Sequence, residues 1–116
     1  MVAGTFRRMS EKTSISAIIP TLNEESCIEA CLERLELAGV DELIVVDGGS
    51  EDRTRELARS RADKVLVDPG GVFSQLNRGA REAEGEILVF QYADGLLGED
   101  AAAVIRRTLE APGISG

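Results

Sequence analysis

Two runs of apolar residues in the first half of the chain end abruptly in polar, turn-forming residues. The first run predicts a strand over residues 14–19, and the second predicts a strand over residues 41–47. Both runs are continuous rather than alternating, which is typical of strands buried on both faces of a parallel sheet. Because ligands of such sheets bind beyond the carboxyl ends of the strands, we expect the chemistry at these two endings.

The rest of the chain alternates between helical and strand patterns. The patterns predict helices over residues 24–38, 50–61, 73–83 and 99–109, and further strands over residues 64–67 and 86–92. Asn23 and Ser50 have the side chains of N-caps for the first two helices, and Gly39 is placed to end the first helix. Strands that alternate with helices predict an α/β fold with a mostly parallel sheet and right-handed crossovers.

The two strand endings bring small and polar residues to one edge of the predicted sheet. These residues are Pro20, Thr21, Asn23 and Glu24 after the first strand, and Asp47, Gly48, Gly49 and Ser50 at the end of the second. This composition at this edge is typical of a nucleotide site. A G-x-G-x-x-G motif does not follow the first strand and a Walker A motif is missing, so a nucleotide would be held in another way.

Composition limits the class of protein. The 116 residues, 43% of them hydrophobic, predict one domain over residues 14–116 after a loose tail at residues 1–13. The net charge of -8 disfavours nucleic acid as a partner. No apolar run approaches the ~20 residues of a membrane span, so we expect a cytoplasmic protein, with peripheral attachment to the inner face of the membrane as the other location considered.

Four blocks of the sequence, in order and spacing, resemble family-2 glycosyltransferases of the GT-A fold. The blocks are I-I-P-T-L-N-E at 18–24, V-V-D-G-G-S-E-D-R-T at 45–54, G-E-I-L-V-F-Q-Y-A-D at 85–94 and, more weakly, G-G-V-F-S-Q-L-N-R-G-A at 70–80. The resemblance implies a Rossmann-like three-layer sandwich that binds a nucleotide-diphosphate sugar, with UDP-sugar favoured, for transfer to an unknown acceptor. The D-G-G-S block with a lone Asp in the last block is most similar to the subgroup found beside radical-SAM proteins.

The resemblance also assigns roles to residues. Asp47 matches the residue that accepts a hydrogen bond from the ring N–H of a uracil-like base, although an Asp before two glycines is also a common turn former. Glu24 matches a residue that faces the base or the ribose, and Gly48 and Gly49 allow close backbone approach. The predicted donor-binding residues are Pro20, Thr21, Glu24, Asp47, Gly48, Gly49, Asn77 and Ala93.

Asp94 is the predicted metal ligand. The family's Asp-x-Asp pair is replaced here by Tyr92-Ala93-Asp94, so one carboxylate remains to hold Mg²⁺ or Mn²⁺ together with the donor phosphates and water. The alternative is that Asp94 only opens a turn before Gly95. Arg78 is either a phosphate contact or a solvated arginine on a helix face.

The carboxylate that deprotonates the acceptor in family members has no persuasive counterpart, so the catalytic residue is unknown. The resemblance implies the amino-terminal half of the enzyme, apparently truncated before the acceptor-binding half. We therefore expect a homo-oligomer or association with the missing half, driven by an exposed apolar edge or face at Leu88 and Phe90. The alternatives are an inactive module that binds a nucleotide or nucleotide-sugar, or a nucleotidyltransferase on the same fold.

Overall fold

A computed structural model of the chain describes residues 14–94 and the backbone of residues 102–106, and the predicted tail at residues 1–13 lies outside this part. The described residues form a five-stranded sheet in the order β3-β2-β1-β4-β5. The strands are β1 (Ile15–Thr21), β2 (Glu42–Asp47), β3 (Lys64–Val67), β4 (Ile87–Gln91) and β5 (Ala102–Arg106). The first four are parallel and β5 is antiparallel to β4, which confirms the mostly parallel sheet.

Helices cover both faces of this sheet and make the three predicted layers. The helices are α1 (Ile28–Leu37), α2 (Thr54–Ala58) and α3 (Val72–Glu82). Ile19 of β1 packs on the side of α1 and α2, whereas its neighbour Ile18 packs on the side of α3. Because successive side chains of a strand point to opposite faces, an uninterrupted apolar run is what two covered faces require. Each fully buried Ile contributes about 1.5–3 kcal/mol to the free energy of folding.

The glycine at position 79 lets α3 lie close to the sheet. A Cβ atom at this position would stand 2.5 Å from Cγ2 of Ile18 and 3.1 Å from Cγ2 of Val46. Any larger residue would force the helix away from β1 and β2. The position of the loop before α3, which borders the candidate site, therefore depends on Gly79.

The predicted helix starts are wrong for the first two helices. Helix α1 begins at Ile28 rather than 24, and Asn23 has a φ of +57° and does not cap it. Helix α2 begins at Thr54, and the side chain of Ser50 bonds to Asp47 instead of capping that helix. The polar side chains after β1 and β2 bond across to the neighbouring loop, which is a long-range contact that local capping rules do not anticipate. The end of α1 at Gly39 is confirmed, since this residue has a φ of +97°.

The helix predicted over residues 99–109 is also wrong where the structure describes it. Residues 102–106 form β5, and the rest of that segment lies outside the described residues. The alanines of this segment favour a helix, but β4 offers backbone hydrogen bonds along its free side, and pairing with β4 makes the segment a strand. Strand β4 is therefore not an edge, and Leu88 is buried. Self-association of the chain stays a prediction, but an exposed Leu88 no longer supports it.

Candidate functional site

Thr21 and Asp47, the last residues of β1 and β2, join the two strand ends. Both oxygens of the fully buried Asp47 carboxylate are occupied. Oδ1 accepts hydrogen bonds from Thr21 Oγ1 at 2.7 Å and Ser50 Oγ at 2.6 Å. Oδ2 accepts from the N–H groups of Gly49 and Ser50 at 2.9 and 2.7 Å, and from the Arg55 guanidinium at 3.0 Å. This carboxylate organises the loop that follows β2.

The same contacts decide the charge of Asp47. Burial alone would raise the pKa of this carboxyl, but the hydrogen bonds from Ser50, Thr21 and Gly49 outweigh burial and hold its pKa below the ordinary value. Asp47 is therefore ionised at neutral pH. A base N–H could reach the carboxylate only if one of its five donors moved away, so the direct contact with a base stays a prediction that this geometry does not favour.

Hydrogen bonds from polar side chains connect the loop after β1 to the loop after β2. Ser50 Oγ accepts a hydrogen bond from the Asn23 N–H at 2.7 Å, and Asn23 Oδ1 accepts one from the Glu51 N–H at 2.9 Å. Asp52 adds a third connection, because its Oδ2 accepts from the Glu25 N–H at 3.2 Å. These contacts hold the two loops together.

A cleft of about 320 Å³ opens beside these loops. It is lined by Pro20, Thr21, Leu22, Glu24, Gly48, Pro69, Gly71, Val72, Gln75 and Tyr92. The ends of β1, β2 and β4 and the amino end of α3 thus meet there, as ligand sites of open α/β sheets require. Four of the predicted donor-binding residues line this cleft.

The other four predicted donor-binding residues lie outside that lining. Asp47 is buried at the end of β2, and Gly49 is exposed with a φ of +108°. Asn77 is exposed on α3. Ala93 is 1% exposed and packs in the core with Ile28 of α1, so its side chain cannot contact a ligand. Any contact from Ala93 would have to come from its backbone.

Gln75, which the sequence offers only as a polar contact or a helix cap, lines the cleft. It is 6% exposed, and its Nε2 donates to the carbonyl oxygens of Val46 at 2.7 Å and Thr21 at 3.1 Å. A polar residue in the apolar face of an amphipathic helix was the available signal. Which strands that face would meet was not visible in the sequence.

Glu24 lines the cleft, and Asp94 follows β4 outside the lining residues. Burial raises the pKa of Glu24, and the charges of Asp94 and Asp52 raise it further. Asp94 itself is exposed just after β4. No three His, Cys, Asp or Glu side chains converge on a metal site within the described residues. A single carboxylate suits Mg²⁺ or Mn²⁺ when phosphate oxygens and water complete the coordination.

The position of Arg78 does not support a role in binding phosphate. Its guanidinium donates to the carbonyl oxygen of Val67 at 3.5 Å, and it does not line the cleft. The amino end of α3, with Gly71 and Val72, borders the cleft instead and presents the positive end of the helix dipole there. No helix among the described residues is long and apolar enough to cross a membrane.

The fold and the cleft at its strand ends define a Rossmann-like α/β domain of the kind that binds nucleotides. The profile of the family described as Glycosyl transferase family 2 matches residues 16–115, and the chain belongs to this family. The predicted family is therefore confirmed. The finer subgroup stays a prediction.

Curated relatives and solved structures agree with this family. The chain is 38% identical over 93 residues to the PGL/p-HBAD biosynthesis glycosyltransferase of Mycobacterium bovis. This alignment covers 72% of the chain and 36% of that protein. It is 37% identical over 89 residues to the dolichol-phosphate mannosyltransferase of Pyrococcus furiosus, which covers 69% of the chain and 25% of that protein. The chain thus spans about a third or less of these relatives.

Among solved structures, the chain is similar to glucosyl-3-phosphoglycerate synthase from Mycobacterium tuberculosis. The complex of that enzyme with Mn²⁺, UDP and glucosyl-3-phosphoglycerate superposes with a TM-score of 0.65 at 31% identity, over 78% of this chain and 37% of the enzyme. A complex of the same enzyme with Mg²⁺ and UDP superposes with a TM-score of 0.64. The structural relatives thus bind UDP with either of the two predicted metals.

Proposed function

We propose that this chain carries the donor-binding part of a glycosyltransferase that uses a UDP-sugar and a divalent metal. The observation that carries the proposal is the cleft where β1, β2 and β4 end, with the Asp94 carboxylate beyond its β4 side. A related family member binds UDP and Mn²⁺ in the crystal. The sugar and the acceptor are left open.

The base and ribose are assigned to the part of the cleft nearest β1 and β2. Thr21 and Gly48 form this part, and Gly48 contributes no side chain that would fill it. Leu22 and Tyr92, which are 55% and 48% exposed, offer apolar surface for a flat ring. Burial of both faces of a base would supply affinity without a charged contact.

The diphosphate is assigned to the side of Asp94. Since the carboxylates of Asp94 and Glu24 repel phosphate, a cation is needed between Asp94 and the donor. A bound Mg²⁺ or Mn²⁺ would neutralise the charge that develops on the leaving diphosphate. Asp94 would hold that metal, and the amino end of α3 would supply the remaining positive potential.

A second candidate function is an inactive module that binds the nucleotide-sugar without transferring it. Inverting transfer needs a base that removes the acceptor proton. Glu24, which lines the cleft, and Asp94, which follows β4, are both assigned to the donor side. Hydrolysis of UDP-glucose with and without Mn²⁺ separates the two functions, because a module would leave the sugar attached under both conditions.

Calorimetric titration of the 116-residue chain with UDP and with uridine tests the binding itself. We expect UDP to bind more tightly in Mn²⁺ than in EDTA, and uridine to bind equally in both. Failure of UDP to bind in Mn²⁺ would reject the proposal.

A further inference from the structure

The amide of Gln75 has one end bonded and one end free. Its Nε2 faces two backbone carbonyl oxygens, those of Val46 and Thr21. A carbonyl oxygen can only accept, so these two contacts fix which end of the amide is nitrogen and leave Oε1 on the opposite side. No described residue donates a hydrogen bond to Oε1.

The side-chain amide of Gln75 lies against Gly48 in the cleft. An ideal Cβ on Gly48 would lie 3.2 Å from Oε1 and 3.3 Å from both Cδ and Nε2, so the amide fills the space that a side chain of residue 48 would otherwise enter. The residue is 6% exposed. A buried acceptor without a partner is costly, and a ligand that donates to it recovers that cost.

The five protein donors on Asp47 already occupy both of its oxygens, which disfavours Asp47 as the acceptor for a base N–H. We propose that Gln75 Oε1 accepts a hydrogen bond from the ring N–H of a uracil base and thereby selects uridine nucleotides. The proposal rests on the proposed function and assigns the residue that reads the base. Cytosine has an acceptor nitrogen at the matching ring position, so two acceptors would face each other and CDP would bind more weakly.

The test compares UDP with N3-methyl-UDP, which lacks the ring N–H, by calorimetry in Mn²⁺. The wild-type chain should prefer UDP by about 5- to 10-fold, the ratio expected for one buried hydrogen bond. Gln75→Met should bind the two nucleotides almost equally. Gln91→Met, the same substitution at a glutamine outside the cleft lining, should keep the preference of the wild type.

The methionine variant separates a hydrogen bond from a steric effect. Since Met and Gln have similar volumes, a preference caused only by the bulk of the methyl group would survive in Gln75→Met, and that result would overturn the proposal. A second variant guards against misfolding of the first. Gly48→Ala leaves Gln75 unchanged but sets a methyl group 3.2 Å from Oε1 and 3.3 Å from Nε2, so it crowds the amide and should also lose most of the preference.

Different results would reject the role of Gln75 and the proposed function. If wild-type chain binds UDP with metal dependence but does not distinguish it from N3-methyl-UDP, the role of Gln75 is rejected and the proposed function stands. If UDP does not bind at all, both are rejected.

Discussion

Thr21 and Asp47 are partners in the register of β1 and β2, and the hydroxyl of the first donates to the carboxylate of the second at 2.7 Å. The carbonyl oxygen of Thr21 also accepts the Gly48 N–H at 2.9 Å. The end of β1 therefore helps to fix the conformation of the loop that follows β2. The cleft is formed by loops that the sheet register has already positioned.

Asp47→Asn should destabilise the fold. An amide NH₂ would face donors where a carboxylate oxygen now accepts, and Arg55 would lose its ion pair and keep only the carbonyl oxygen of Ser50 as an acceptor. We expect a loss of about 3 kcal/mol in the free energy of unfolding, measured by urea denaturation at pH 7. Asp63→Asn is the control, because an amide oxygen can still accept the Leu43 N–H there. Equal losses in both variants would contradict the organising role of Asp47.

The cost of Asp47→Asn should also depend on pH. Because the folded-state pKa of Asp47 lies below its unfolded value, its contribution is fully present above about pH 4 and is lost as the pH falls through the folded-state pKa. The difference in the free energy of unfolding between wild type and Asp47→Asn should therefore become smaller below about pH 4. A gap that stays constant down to pH 2 would show that the contribution of residue 47 does not depend on ionisation.

Asp94→Asn should remove the metal dependence of UDP binding. The amide keeps the shape of the residue but not the charge that attracts the cation, so UDP affinity in Mn²⁺ should fall to its value in EDTA. Uridine affinity should be unchanged, because the base is assigned to the other end of the cleft. The check is a set of four titrations, UDP and uridine in each metal condition. An undiminished effect of Mn²⁺ in the variant would leave Asp94 as a turn residue only.

The same substitution should lower the pKa of Glu24. Burial is the largest cause of the raised pKa of Glu24, and the charge of Asp94 adds to it, so only the second part disappears in Asp94→Asn. NMR titration of the labelled carboxyl measures the shift directly. Asp52→Asn is the comparison and should lower the pKa by less. Since the folded-state pKa is raised, the stabilising effect of Glu24 is present at low pH and lost as the pH rises through that value.

Gly79→Ala should destabilise the protein although alanine is the better helix former. The added methyl group would collide with Ile18 and Val46, and overpacking of this kind costs about 1–3 kcal/mol. Urea denaturation measures the loss. In an Ile18→Ala background the collision is relieved, so the added cost of Gly79→Ala should shrink or reverse. An additive double mutant would show that α3 does not press on β1 at this position.

Local sequence patterns were enough to predict the parallel strands of the sheet and the edge at which the cleft lies. The uninterrupted apolar runs of β1 and β2 indicated strands buried on both faces, and the fold of alternating strands and helices followed. Thr21, Gly48 and Glu24 were placed at the site because they follow strands directly. Gly39 was placed correctly because a positive φ at a helix end is a local requirement.

Only the tertiary structure decided which polar groups form hydrogen bonds with one another. Asn23 and Ser50 form hydrogen bonds between two loops, and the bonded residues are more than 25 positions apart in the sequence. Neither side chain therefore caps a helix. The pairing of β4 with residues 102–106 converted a predicted helix into a strand, because the free side of a strand offers hydrogen bonds that propensity does not count. Asp47 and Gln75 show the same limit. The sequence identifies both as polar, but the contacts across the sheet saturate the carboxylate of one and leave the amide oxygen of the other free in the cleft.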